Sequence, residues 1–350
     1  MQRNIKISAE SGAASTLLIL QAILPFLLFA GRERVSSKGV DGDNRGNEGE
    51  GENDGDAIEV EISGGTNTSF SLTYEYLDQV LLPTLQERFG VRVGRKLTTR
   101  GWSLGSVGRG NISIKIWPLR LGEKLRFQPF PVGTLSQTEA KVKSVDVSIL
   151  APAVSHEKIQ RDLVQHLGGV FPDADVCFKL MEDSKADSRW NILLVAHSED
   201  GIRWGKDVMC SLSKRTKSRD TFVELLCRKL CKELYAEVSL GGKVDGNLQD
   251  QVICFQALCD GYSSLPRAED SADGDYAGSM GGLVSEMGQL RLSDGASLKK
   301  EKVREPFGHG SMHSQTVRWI AAEMLPGVEF YNKGDIVKGV GLTVQPPNIS

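Results

Sequence analysis

The chain of 350 residues carries 42 Lys plus Arg against 45 Asp plus Glu, a net charge of −3, and its length suggests about two domains. Hydrophobic residues make up 40% and charged residues 25%, which excludes a disordered, collagenous or membrane-bundle chain; the near balance of charge excludes a general cationic coat for nucleic acid. Six cysteines, at 177, 210, 227, 231, 254 and 259, are too sparse for a disulfide scaffold and form no Cys-x-x-Cys pair. They read as reduced, mostly buried thiols of an intracellular protein, and no metal site is expected.

Residues 16–30, TLLILQAILPFLLFA, follow the mildly basic start MQRNIK. A secretory signal has that order, and so does a buried helix entered through the loop SGAAS. The run is too short to span a bilayer, and Gln21 and Pro25 interrupt it. Residues 31–57 are Gly-rich with seven acidic residues between Asp41 and Asp56, so a disordered acidic loop is expected there. IEVEIS (58–63) alternates as a strand, and residues 73–89 carry Leu77, Val80, Leu81 and Leu85 at helical spacing up to Gly90. Strands are expected at 111–119 and 145–150, a helix at 156–167, and further strands at VCFKL and NILLVAH. Thr221 with Glu224 reads as a capping box before an amphipathic helix. Helices follow at 248–261, closing on Gly261, and at 314–325, with Val317, Ile320, Ala321 and Met324 on one stripe. A second disordered loop is expected at 266–306. The alternation defines an α/β (α+β) class.

Candidate chemistry is spread thinly. Of five histidines, His156, His166 and His197 sit in helix and strand bodies and read as surface or satisfied side chains. His309 and His313 stand where a Gly-rich loop meets a helix start. The positive end of the helix dipole disfavours the imidazolium there, leaving a neutral ring able to attack phosphorus beside backbone N–H groups; a plain capping loop is the alternative. In VDGNLQDQ (244–251), Asn247, Asp250 and Gln251 fall at i, i+3 and i+4, suiting either a nucleotide contact or a solvated helix edge. ISGGTN and GSVGRG permit close backbone approach to phosphate but match no P-loop or dinucleotide fingerprint. Nine Lys or Arg between Arg203 and Lys232, against three acidic residues, read first as a solvated face and second as a guide for an RNA backbone.

Six segments, in order, are similar to the RNA 3′-terminal phosphate cyclase family, the cyclases rather than the cyclase-like subfamily: SGAASTLLILQAILPFLLFA, VEISGGTN, YLDQVLLPTLQERFG, RGWSLGSVGRGNISIKI, VDGNLQDQVICFQAL and MHSQTVRWIAAEML. The resemblance makes the N-terminal apolar run an internal helix, so the expectation is an intracellular protein, nuclear or cytoplasmic, not secreted and without a membrane partner. It implies a large domain of repeated βαβαββ units with a small inserted α/β domain: 1–140 and 219–350 in the large domain, 141–218 in the insert. It implies an ATP-dependent enzyme, aided by Mg2+, that turns an RNA 3′-phosphate into a 2′,3′-cyclic phosphate through an adenylyl-histidine. His313 takes the nucleophile position; Gln21, Asn247, Leu248, Gln249, Asp250 and Gln251 take the nucleotide positions. Three departures accompany it. Asn247 stands where the family has histidine, Ser103-Leu104-Gly105-Ser106 replaces a glycine run, and the family's opening repeat with its Glu-Gly-Gly-Gly segment is absent, as in a truncated, partly degenerate member. The alternative is a catalytically impaired relative that binds RNA or ribosome-assembly partners.

Overall fold

The structure is a computed structural model that describes residues 3–31, 57–131, 141–213, 215–216, 218–267 and 298–344. Most of the two stretches expected to be disordered, 31–57 and 266–306, lies outside the described residues. Residues 298–306 do not behave as a free loop. The Glu301 amide donates to the Phe330 carbonyl at 2.9 Å and Lys300 bridges to Tyr331, so this stretch runs along a strand.

The first sheet is built from β1 (Asn4–Ser8), β2 (Ile58–Gly64), β3 (Val93–Thr99) and β4 (Gly110–Ile116), in the order β1-β2-β4-β3. β1 and β2 are parallel, and the other pairings are antiparallel. Helix α1 (Thr16–Leu28) follows β1. A continuous helical segment follows β2: α2 (Tyr74–Tyr76), a π-helical turn (Leu77–Leu81) and α3 (Leu82–Phe89). The order is therefore βαβαββ. Alternation explains the sheet: Ile58, Val60 and Ile62 of β2 and Ile112, Ile114 and Ile116 of β4 are buried while Glu59 is exposed. Leu17, Leu20, Leu24, Leu27 and Leu28 of α1 belong to the same core, each buried side chain being worth about 1.5–3 kcal/mol. The apolar run is thus a packed helix that begins at Ser15, whose hydroxyl accepts from the Leu17 and Leu18 amides. Pro25 lies inside it.

A second sheet, in the order β6-β5-β7-β8, uses β5 (Val142–Ala151), β6 (Asp175–Asp183), β7 (Trp190–Ser198) and β8 (Arg203–Cys210). Helices α4 (His156–Val170) and α5 (Arg219–Ser239) pack on each other, and α5 packs on β7 and β8. On this sheet Gln79 of the π turn reaches Ser148 of β5 at 2.7 Å, and Gly205 of β8 leaves room for the Tyr76 ring, which a Cβ there would meet at 2.5 Å. β7 is apolar without a break from Ile192 to Ala196, as befits a strand covered on both faces. The helix cap is Ser218 rather than the expected box at Thr221: its hydroxyl reaches the Thr221 amide at 3.2 Å, one turn earlier.

The third sheet, in the order β10-β11-β9, is short: β9 (Asp260–Ser264), β10 (Glu329–Tyr331) and β11 (Ile336–Val340). With α6 (Gln249–Leu258) before β9 and α7 (Met312–Met324) after it, the order α-β-α-β-β repeats the first unit, and among the described residues only the parallel Arg126–Asp260 bridge stands where β1 pairs with β2. β9, β11 and β10 occupy the places of β2, β4 and β3, with the same antiparallel pairings. Two expectations shift here. α6 ends at Leu258, so Gly261 lies in β9. On α7 the fully buried residues are Ser314 and Arg318; of the expected stripe, Val317 and Ala321 pack against the small core of Ile253, Phe307, Phe330 and Val337, while Ile320 and Met324 are exposed.

A buried polar cluster joins the first two sheets. Arg100 after β3 donates to Glu75 at 2.6 Å and Asn67 at 3.0 Å, and grips both carboxylate oxygens of Glu182 in β6 at 2.8 Å. Asn67 also donates to Glu75 at 2.9 Å and to Asn191 of β7 at 3.2 Å. Glu75 is almost wholly enclosed, so removing its partner strands a charge. Arg100→Met is expected to cost about 3–5 kcal/mol in urea unfolding, and adding Glu75→Gln should restore part of that loss.

Candidate functional site

α1, the π turn with α3, α6 and α7 converge on a cleft of about 220 Å3. Its walls are mainly apolar: Leu20, Leu24 and Pro25 from α1, Leu77, Leu81 and Leu85 from the middle segment, Phe255 from α6 and Val317 from α7. Gln21, Asp250 and Gln251 supply its polar edge. Apolar walls with a few convergent amide and carboxyl groups suit a flat heterocycle with hydrogen-bonding edges. The π turn contributes two of the leucines, a place where such turns recur in proteins.

The structure therefore brings Gln21 together with Asp250 and Gln251, more than two hundred positions later in the chain. Asp250 accepts from the Gln251 side-chain amide at 2.9 Å. Burial raises its carboxyl pKa, and the Gln251 bond acts in the opposite direction. His313 is the second residue of α7 and exposed, one turn before Val317. The helix starts at Met312, earlier than its apolar pattern suggested, because the Ser311 hydroxyl accepts from the Ser314 amide at 3.2 Å.

The other three nucleotide positions lie elsewhere. Asn247 is exposed in the turn before α6. Leu248 is buried in the main hydrophobic core. Gln249 is 3% exposed and lies against Gly310. None of the three lines the cleft. Of the remaining histidines, His156 bonds the Ala151 carbonyl at 2.8 Å and His197 bonds Asp146 at 3.1 Å, and burial lowers the His197 pKa. Four of the nine basic residues are paired: Arg203 with Glu87, Lys206 and Lys229 with the one carboxylate of Glu233, and Arg219 with Asp187.

The two glycine segments meet each other. Thr66 and Asn67 amides donate to the Gly101 carbonyl at 3.0 and 2.9 Å, and a Cβ on Gly101 would lie 2.4 Å from the Gly110 nitrogen. Their glycines permit backbone to cross backbone where β2, β3 and β4 end.

Asp245 was not singled out by sequence, yet it sets the approach to α6. Its carboxylate accepts from the Tyr76 hydroxyl at 2.6 Å, the Gly205 amide at 2.7 Å, and the Asn247 and Leu248 amides at 2.9 Å each. An Asp two and three residues ahead of those amides, followed by an apolar helix, was the available signal.

A model of the family described as RNA 3′-terminal phosphate cyclase matches residues 2–273, and the chain belongs to that family. Gln21 and residues 247–251 fall within the matched span; His313 lies beyond it. The chain is similar to the RNA 3′-terminal phosphate cyclases of Staphylothermus marinus, 28% identical over 255 residues and covering 72% of this chain and 60% of that protein, and of Drosophila melanogaster, 25% identical over 261 residues with the same coverage. That of Pyrobaculum aerophilum is 23% identical over 209 residues, covering 60% and 55%. The matches therefore span between 55% and 60% of these relatives.

Burial raises the Asp245 pKa from 3.8 to about 6 despite its four donors. With the folded value above the free one, protonation favours the fold: stability from this group is present below about pH 4 and is lost as pH rises through 6. Between pH 4 and 7, the unfolding free energy of the wild type should fall by on the order of 2–3 kcal/mol relative to Asp245→Asn. Urea titrations across that range check the slope.

Proposed function

We propose that the cleft holds the adenine nucleotide of ATP, that His313 takes up its adenylyl group, and that the chain acts as an ATP-dependent RNA 3′-terminal phosphate cyclase. The observation supporting this reading is that Gln21, Asp250 and Gln251 line one apolar cleft with α7, the helix whose first turn carries His313. Within it the leucines and Phe255 would cover the faces of the base, while the Gln21 and Gln251 amides offer donors and acceptors to its edge.

A ring nitrogen of His313 attacks the α-phosphorus, the bond to the bridging oxygen breaks, and pyrophosphate leaves. An oxygen of the RNA 3′-phosphate then displaces the imidazole, taking the adenylyl group. The neighbouring 2′-hydroxyl attacks the 3′-phosphorus, AMP departs, and the hydroxyl proton is lost. First-turn amides of α7 face charge that builds on phosphate oxygens. Among the described residues no three His, Cys, Asp or Glu side chains converge on a metal position. A magnesium ion would therefore rest mainly on phosphate oxygens and water, with Asp250 the nearest acidic group lining the cleft. Such a chain works in intracellular RNA processing; no helix among the described residues is long and apolar enough to cross a membrane.

Asn247 supports a second reading, an RNA- or ribosome-assembly-binding protein without chemistry, since it stands outside the cleft where the family carries histidine. Incubation with ATP labelled at the α-phosphorus separates the two. The first reading expects a covalent adduct, absent in His313→Ala and reduced about tenfold or more in apparent ATP affinity by Gln21→Leu. Folded wild-type protein that binds RNA, forms no adduct at saturating ATP and is indifferent to His313→Ala supports the second.

A further inference from the structure

The segment entering α7 is held by an unusual side chain. Arg318, on α7 and 1% exposed, is among the largest fully buried residues. Its guanidinium donates back to the His309 carbonyl, with a longer contact of 3.5 Å to the Phe307 carbonyl. Two glycines make its berth. A Cβ on Gly334 would lie 2.3 Å from the Arg318 Nε, and one on Gly308 would lie 3.1 Å from its Nη1. Both have positive φ, +92° and +86°. The facing turn is strained as well: Asn332 and Lys333 are left-handed at φ 51° and 57°, a conformation that non-glycine residues keep only when their surroundings enforce it. The Lys333 carbonyl accepts from the His309 amide at 2.9 Å, so the two loops are tied together behind the helix. From the other side Gln249 presses on Gly310, and Gln315 donates to the Gly310 carbonyl at 3.1 Å.

We propose that Arg318 is a positioning residue: it clamps the Phe307–Gly310 loop to α7 and thereby fixes the helix turn that presents His313 to the cleft. Arg318 lies five positions after His313, on the buried face of α7, and does not line the cleft. A guanidinium suits the task because its Nη1 holds two N–H groups in a fixed plane at the end of a long side chain, meeting the His309 carbonyl closely and the Phe307 carbonyl at longer range. The ammonium of lysine has no such fixed plane. This inference rests on His313 acting as nucleophile for its kinetic consequence, whereas the clamp itself is independent of that reading.

Two measurements separate these levels. Amide hydrogen exchange of residues 308–310 should rise about tenfold or more in Arg318→Met, and less in Arg318→Lys, with exchange in β11 and α6 unchanged. The rate of adduct formation on His313 from labelled ATP should fall about tenfold or more in both variants, with ATP affinity held within about twofold. In Arg318→Ala, added methylguanidinium should restore slow exchange and adduct formation together. Unchanged exchange at 308–310 overturns the clamp. Raised exchange with an undiminished adduct rate, or guanidinium restoring neither readout, overturns the positioning role. Should the wild type form no adduct, the cyclase reading fails, and the exchange and rescue measurements decide the clamp alone. If Arg318→Met does not fold, Arg318→Lys carries both comparisons.

Discussion

One buried carboxylate connects the three sheets. Asp245 accepts from Tyr76 in the helix between β2 and β3, from Gly205 at the edge of the second sheet, and from the two amides that open α6. Removing a carboxylate from water is costly, and four short hydrogen bonds at one site are what make it tolerable. Because those donors come from separate layers, the same bonds fix where α6 begins and which way its first turn faces. The cleft depends on that registration: Asp250 and Gln251 face Gln21 only if α6 starts where it does. One side chain that does not line the cleft therefore sets how its wall is arranged.

The rest of the architecture is repetition with local repair. The third sheet repeats the strand order of the first with the opening strand reduced, among the described residues, to one parallel bridge at Arg126, and its strands of three and five residues present little apolar surface of their own. A smaller core, Ile253, Phe307, Phe330 and Val337, serves that region. Polar ties therefore carry more of the load around α7, where buried Arg318 stands in place of the leucines that the π turn and α3 bury in the first unit. Between the first two sheets the opposite holds: apolar packing is extensive, and the Arg100 cluster adds direction to it.

What could be read from the residues follows from where each signal resides. β2, β4, β5 and β7 announce themselves because their side chains alternate or run apolar across buried faces. β9, β10 and β11 do not, since DGYSS, EFY and IVKGV have no alternation to detect and exist as strands only through their partners; β1 does alternate, as NIKIS, but its basic start also fits a leader. Cleft residues Gln21, Asp250 and Gln251 were reachable through the family resemblance, whereas Leu248 and Gln249 point inward, a matter of helix phase that spacing in an unplaced segment does not set. Arg318 sits in an amphipathic pattern where arginine normally marks the solvent side. Its carbonyl partners lie in a glycine loop, and backbone acceptors leave no trace in the side-chain pattern. Asp245, Arg100 and Arg318 share this property: long-range partners make them important.

Pro25 adds a consequence at the wall of the cleft. A proline has no N–H, so the carbonyl of Gln21, four residues earlier, is denied the bond that a helix normally returns to it. That oxygen belongs to the residue whose side-chain amide already lines the cavity. The turn of α1 that meets the cleft is therefore backbone-rich in polarity as well as in side chain, on a helix otherwise without a single charge. An oily segment that resembles a leader in one dimension carries, in three, the main-chain irregularity expected of a surface that meets a polar guest.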